Sequence, residues 1–370
     1  MATAIILIVV LLTMAYFHLK CSVMSAFSTL MSGIIASVLA FNYFEILADL
    51  FISNGYAVQW AHCGSFILLF ILSFAIVRTL ADLLVGANVD FGALVKNILN
   101  VVLGFLTGLI LAGHILVAVG MSPLGQGWAY QRFPPDRSVS PQNPSKPILN
   151  PDGFVTGLFS RLSQGSLRSD KSFAVLGADF VNRNHLNRTA LKDSVLIVCS
   201  KKALAVPPKE KKPVRLMELP EIGQVTVVRA QITAKDISKG GARNEKGSIT
   251  FCLSQVRMIT KPAEKAGNLA GKGEVLFPIG LLEDGKLTRK DLSETITYTR
   301  ESFHTDGTVW VDFVFQYRGL GSELTGVLLE FKQNALAKLP PPVPGSDEIE
   351  QALSGQIQEG ENSPEETPNL

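Results

Sequence analysis

A chain of 370 residues, 47% hydrophobic and 18% charged, is long enough for two domains and is too apolar for a wholly aqueous protein. Its formal net charge of +2, with no basic stripe interleaved with aromatics, argues against nucleic acid as a partner. The apolar excess falls almost entirely before residue 122, so a membrane part is expected to precede an aqueous one.

The first 17 residues contain an uninterrupted apolar run, Ala2 to Phe17, with no Lys or Arg ahead of it. A cleaved secretory signal has a basic start and a small-residue cleavage site, so this run predicts a first transmembrane helix instead. Lys20 ends it, and a second run follows from Ser22 to about Phe41. Beyond it, Glu45 and Asp49 stand four apart, which is costly in hydrocarbon and places this piece at the interface. A third run spans Ala61 to Val77, and residues 78–96 read as a helical extension and an interfacial turn.

The fourth span, Lys96 to Met121, has no formal charge between Ile98 and Val119, and those 22 residues reach roughly 30 Å, the thickness of the hydrocarbon core. Asn100, Gly104 and Gly108 recur at a spacing of four, a stripe that lets another helix approach closely. With Lys20, Arg78 and Lys96 beside connections one and three, the bias of basic residues puts those connections in the cytoplasm and both termini outside.

These four short-looped helices resemble the colicin V production (CvpA) family of bacterial inner-membrane proteins, over residues 2–121 only. The likeness rests on Lys20 after the first helix, the long amphipathic connection between the third and fourth, and the glycine-spaced fourth helix. Where that family has a G-x-x-x-G-x-x-R-G pattern, this chain reads Asn100, Gly104, Thr107 and Gly108, and Cys21 stands where a glycine is usual. The resemblance implies an integral membrane protein linked to colicin (toxin) production or envelope physiology, with no chemistry to carry over. Related membrane modules are joined to extracytoplasmic domains, trypsin-like proteases among them.

Seven prolines between Pro123 and Pro151 mark residues 122–151 as an extended linker, with Trp128, Tyr130 and Phe133 as candidate headgroup anchors. Asp152 is the expected N-cap of an amphipathic helix through FVTGLFSRLSQ, and residues 152–215 form that helix and a basic connector, Lys201 to Arg215, for lipid or solvent. Alternating segments at 224–233, 247–258, 274–280, 294–299, 308–317 and 326–333 predict an all-β domain over 216–339. Its expected form is an antiparallel β-sandwich, immunoglobulin-like by analogy of fold alone. An acidic tail, 340–370, is expected to be disordered.

Catalytic patterns are thin. None of the five histidines belongs to an H-E-x-x-H pair, and no G-x-S-x-G, P-loop or G-D-S-G-G motif occurs. His304 before Asp306-Gly307 reads as a polar turn, and His114 as a neutral group bonding across the bundle. No cofactor or metal is therefore expected. The fold class expected is a four-helix membrane part followed by an all-β domain outside the cytoplasm, where a Cys199–Cys252 disulfide is chemically permitted and buried free thiols are the alternative. The expected function is noncatalytic: an inner-membrane protein presenting a periplasmic domain for interaction or assembly. Its expected partners are the lipid bilayer and an envelope protein or a second copy of itself. The alternatives are a channel or transporter subunit, which needs polar groups converging inside the bundle, and a membrane-tethered enzyme, which needs a catalytic group.

Overall fold

The computed structural model describes residues 1–84, 91–134, 138–219, 222–316 and 324–344. Residues 85–90 of the stretch expected to hold an interfacial turn, residue 317 of the segment expected at 308–317 and the acidic tail from 345 lie outside the described residues.

Four N-terminal helices are long and apolar enough to cross a membrane: α1 (Ala2–Lys20), α2 (Val23–Ser53), α3 (Ala61–Leu84) and α4 (Ala93–Met121). A multipass membrane protein is the architecture they suit. α1 lies along α4, and α2 along α3. Leu7, Ile8, Leu11 and Leu12 of α1 and Ile67, Leu68, Ile71 and Leu72 of α3 remain exposed, a surface suited to lipid.

α2 does not stop near Phe41. It continues to Ser53 because Phe44, Ala48 and Ile52, spaced by four, are buried on one face. At 31 residues it is about 46 Å long, well beyond a hydrocarbon core of roughly 30 Å, so its last turns stand clear as a pedestal. Ala48 and Ile52, with Ala61 at the start of α3, pack against Ile197 and Val198 of the C-terminal part.

The amphipathic segment forms α5 (Pro151–Gln164), whose N-cap is Asn150 rather than Asp152. Asp152 lies inside the first turn, where its charge suits the positive end of the helix dipole. α5 docks on the bundle: Val155 and Phe159 join Phe41 and Ile110 in one apolar cluster, and Gly113 of α4 is tight against Pro151. Two short helices follow, α6 (Phe173–Leu176) and α7 (Phe180–Thr189). The stretch expected as a linker contributes buried Ala129, Arg132 and Phe133.

The C-terminal domain is built of antiparallel sheets. One sheet of seven strands has the order β13-β2-β3-β10-β7-β8, with β1 also on β3; among its described strands only β13 (Val343–Pro344) pairs in parallel, with β2 (Val214–Leu219). Its other strands are β1 (Leu204–Ala205), β3 (Gly223–Thr233), β7 (Gly280–Glu283), β8 (Lys286–Arg289) and β10 (Thr308–Phe315). A four-stranded sheet follows β12-β11-β5-β6, from β5 (Val256–Pro262), β6 (Glu274–Leu276), β11 (Leu324–Phe331) and β12 (Ala335–Lys338). β4 (Ile249–Cys252) pairs with β9 (Thr295–Tyr298). Val309, Val311, Phe313 and Phe315 of β10 share a core with Phe251, Met258, Leu329 and Phe331, an arrangement compatible with a sandwich. The immunoglobulin-like detail is not confirmed by this strand order. The opposite face of β10 is also covered, since Val314 packs with Val225 and Val227.

Candidate functional site

The join between bundle and β domain is made by α7, whose sequence, FVNRNHLNRT, is mostly polar although all ten residues are buried. A helix of this composition ordinarily faces water, because an unpaired polar group costs about 2–7 kcal/mol to bury. Here its polar side chains are engaged from three sides.

Toward the segment after α4, the Arg188 guanidinium donates to the Leu124 carbonyl at 3.0 and 2.8 Å and to the Gly125 carbonyl at 2.5 Å. Asn182 accepts from Arg132 Nε. The His185 ring lies 4.9 Å from that of Tyr130 and fits beside Gly120. Toward the β domain, Asn187 accepts from Gln255 Nε2 at 2.7 Å and donates to the Ile197 carbonyl at 2.8 Å. Asn184 accepts from Gln333 Nε2 at 3.0 Å, and Thr189 meets the Ser254 hydroxyl at 2.9 Å.

Arg183 faces the bundle and the sheet at once. Its Nη2 lies 3.4 Å from Glu45 of α2, its Nε lies 3.1 Å from Glu330 of β11, and Nη2 also donates to the Gln333 carbonyl at 3.0 Å. Glu330 is held from its other side by Arg257 of β5, whose Nε donates at 2.6 Å. Arg257 in turn donates to the Ala178 carbonyl and, at 3.0 Å, to the Leu176 carbonyl, where the chain enters α7. Two guanidiniums thus face two carboxylates, and the side chains of Arg183, Arg257 and Glu330 are all at most 6% exposed. A small recess lined by Arg183, Asn187, Ser254, Gln255, Arg257 and Glu330 opens beside them.

Burial pushes the Arg257 guanidinium below its usual range, and the charge of Glu330 partly restores it. Burial lowers Arg188 to about 10, still cationic at neutral pH. His185 is driven well below its ordinary value, first by burial and then by Arg188 and Arg132, so its ring is neutral. Burial, with Asp152 as hydrogen-bond acceptor, raises the Tyr130 phenol. Most of the polar side chains of the join are paired with one another or with backbone carbonyls, while His185 Nε2 and Arg188 Nη1 are buried without a hydrogen-bond partner among the described residues. The arrangement fixes one part of the protein to the other.

The sequence-predicted residues lie elsewhere. A Cβ on Gly104 would stand 2.8 Å from Met14 Cα, and one on Gly108 2.8 Å from Val10 Cα, so both glycines line the α1–α4 contact. Asn100, on the same stripe, donates from Nδ2 to the carbonyls of Phe17 at 3.0 Å and Cys21 at 2.8 Å, which ties the end of α1 to α4. Cys199 and Cys252 are both buried free thiols. His114 does not bond across the bundle: its Nδ1 donates to its own helix at the Ile110 carbonyl, 2.8 Å away, and its ring stacks on Phe70 at 3.9 Å. Among the described residues no group of three or more His, Cys, Asp or Glu side chains could hold a metal ion.

No motif marks α7 in the sequence; its one signal is the density of Asn and Arg in NRNHLNR without an apolar stripe. Comparison with known protein families, with curated proteins and with solved structures finds no match for this chain.

Proposed function

We propose that the protein is a noncatalytic, integral protein of a bacterial inner membrane that holds its β domain on the extracytoplasmic side, for docking an envelope partner or a second copy of itself. The observation that carries this reading is the clamp of α7 onto both parts through Arg183, which faces Glu45 of the bundle and Glu330 of the domain. A domain so fixed is a platform at a set height above the bilayer rather than a tethered, freely moving head.

The distribution of basic residues supports this side. The domain packs at the end of the bundle holding Ala2, the α2–α3 connection and the end of α4. Lys20 at the end of α1, Arg78 in the last two turns of α3 and Lys96 in the first turn of α4 lie toward the other end, and basic residues beside short connections favour the cytoplasm. The resemblance of residues 2–121 to the colicin V production family supports a part in envelope physiology or toxin production.

Alkaline phosphatase, which folds only when exported, tests the orientation. Appended after Leu370 it is expected to be active, and inserted after Lys96 inactive; the opposite pattern would put the β domain in the cytoplasm.

A further inference from the structure

Two loops of the β domain lie against the exposed end of the bundle. Residues 195–203 and 233–243 are stitched together, Ser200 N donating to the Gly241 carbonyl at 3.0 Å and Thr233 N to the Ala203 carbonyl at 2.8 Å. Ile197, Val198 and Ile237 pack on Ala48, Phe51, Ile52 and Ala61, and Ile197 N donates to Gln59 Oε1 at 3.1 Å. The height of both loops is therefore set by the ends of α2 and α3. Within the same α2–α3 connection Tyr56 is 68% exposed and Trp60 is 47% exposed. Amphipathic aromatics at a helix end suit the headgroup layer.

From these loops Lys201, Lys202, Lys235 and Lys239 project into solvent. Asp236 is the single acid of either loop, and it is already engaged by Arg243 at 2.6 Å and by Lys239 at 3.7 Å. Among the described residues Lys201, Lys202 and Lys235 have no ion-pair partner. An uncompensated basic rim thus sits beside exposed aromatics at the level where the helices leave the bilayer.

We propose that this rim is a contact for anionic phospholipid headgroups, with Lys201, Lys202, Lys235 and Lys239 as the phosphate-facing groups. Lysines near an anionic leaflet are attracted within about a Debye length, roughly 8–10 Å, and these are carried there by the pedestal of α2 and α3. The inference rests on the reading of the four helices as membrane spans and is independent of which side the domain faces.

The test uses the full chain in nanodiscs of phosphatidylcholine alone or of phosphatidylcholine with phosphatidylglycerol, with amide hydrogen exchange read at 199–203 and 235–243. Exchange is expected to be several-fold slower in the anionic discs, and the protection is expected to vanish in high salt. It should also vanish in the Lys201→Gln/Lys202→Gln/Lys235→Gln/Lys239→Gln variant, whose melting in detergent should match the parent because the four side chains are exposed. Equal rates in the two lipids would overturn the proposal. So would equal protection from inorganic phosphate in phosphatidylcholine discs, which would mark a free-anion site. Failure of the protein to enter discs at all would instead strike at the membrane reading beneath it.

Discussion

Gly108 of α4 lies so close to Val10 of α1 that a Cβ added to it would stand 2.8 Å from the Val10 Cα. That distance is backbone against side chain, so a larger residue cannot be accommodated by turning a rotamer. Gly104 makes the same approach to Met14 one helical turn away. Leucine at either position must push α1 off α4, and overfilling of this kind costs about 1–3 kcal/mol. The expected outcome for Gly108→Leu is a lower yield of intact protein in membranes and a lower melting temperature in detergent. Unchanged values in both variants would mean that the helices do not meet along this stripe.

The second prediction concerns the charges that hold the β domain to the bundle. Glu330 lies between Arg183 and Arg257, so Glu330→Gln leaves two buried guanidiniums short of a counter-charge. Removing one member of a buried ionic set costs about 3–5 kcal/mol, whereas replacing the whole set by apolar groups of similar volume is often neutral or better. The Gln variant should therefore unfold at clearly lower denaturant. The combined Arg183→Met, Arg257→Met, Glu330→Leu variant should recover part of the loss, the remainder being the guanidinium donors taken from the carbonyls of Leu176, Ala178 and Gln333. If the single and the triple variants were equally destabilised, the charges would matter through shape rather than electrostatics.

Much of this architecture is legible from residue order. Four apolar runs give the four helices, and the alternation of Val309, Val311, Phe313 and Phe315 gives the core face of β10. Short strands were harder: β1 and β13 have two residues each, too few for alternation to register. β4 and β5 read as one run because the three-residue turn at Leu253–Gln255 that separates them is itself buried. α7 was illegible for a different reason. An amphipathic pattern marks helices with one wet and one dry face, whereas α7 is polar in sequence and buried on every face. Most of its partners come from residues 45, 124, 255 and 330–333, distances along the chain that no local window spans.

Cysteine chemistry gives the third prediction. Cys199 is fully buried, and burial pushes its thiol up to about 12; burial also raises Cys252. The thiolate is the reactive form, so both should resist iodoacetamide at neutral pH in the native protein. After unfolding without reductant, both should label, since both are free. A mass spectrum settles the matter: absence of label after unfolding would reveal a disulfide, and rapid native labelling would contradict the burial.

The last prediction follows from Lys332, which is 2% exposed and donates from Nζ to the Thr250 carbonyl at 2.7 Å. Burial lowers its amine to about 8, while the thiols of Cys199 and Cys252 act weakly in the other direction. An unfolded lysine titrates near 10.4, so between about pH 8 and pH 10.4 the unfolded chain holds the proton and the folded chain has released it. In that window the unfolded state binds more protons, and stability rises with pH. Below it the folded protein bears the full cost of the buried charge, roughly 3 kcal/mol from the two values. Lys332→Met removes the charge and leaves the Thr250 carbonyl without this donor, a loss of about 1 kcal/mol. The variant should therefore be more stable than the parent near pH 7 by about 1–3 kcal/mol, and the gap should narrow as pH rises toward 10. Urea unfolding of the full chain in detergent at the two pH values measures both gaps. A gap that is equal at each pH, or a parent that is the more stable near pH 7, would show that Lys332 is accommodated as a cation without penalty.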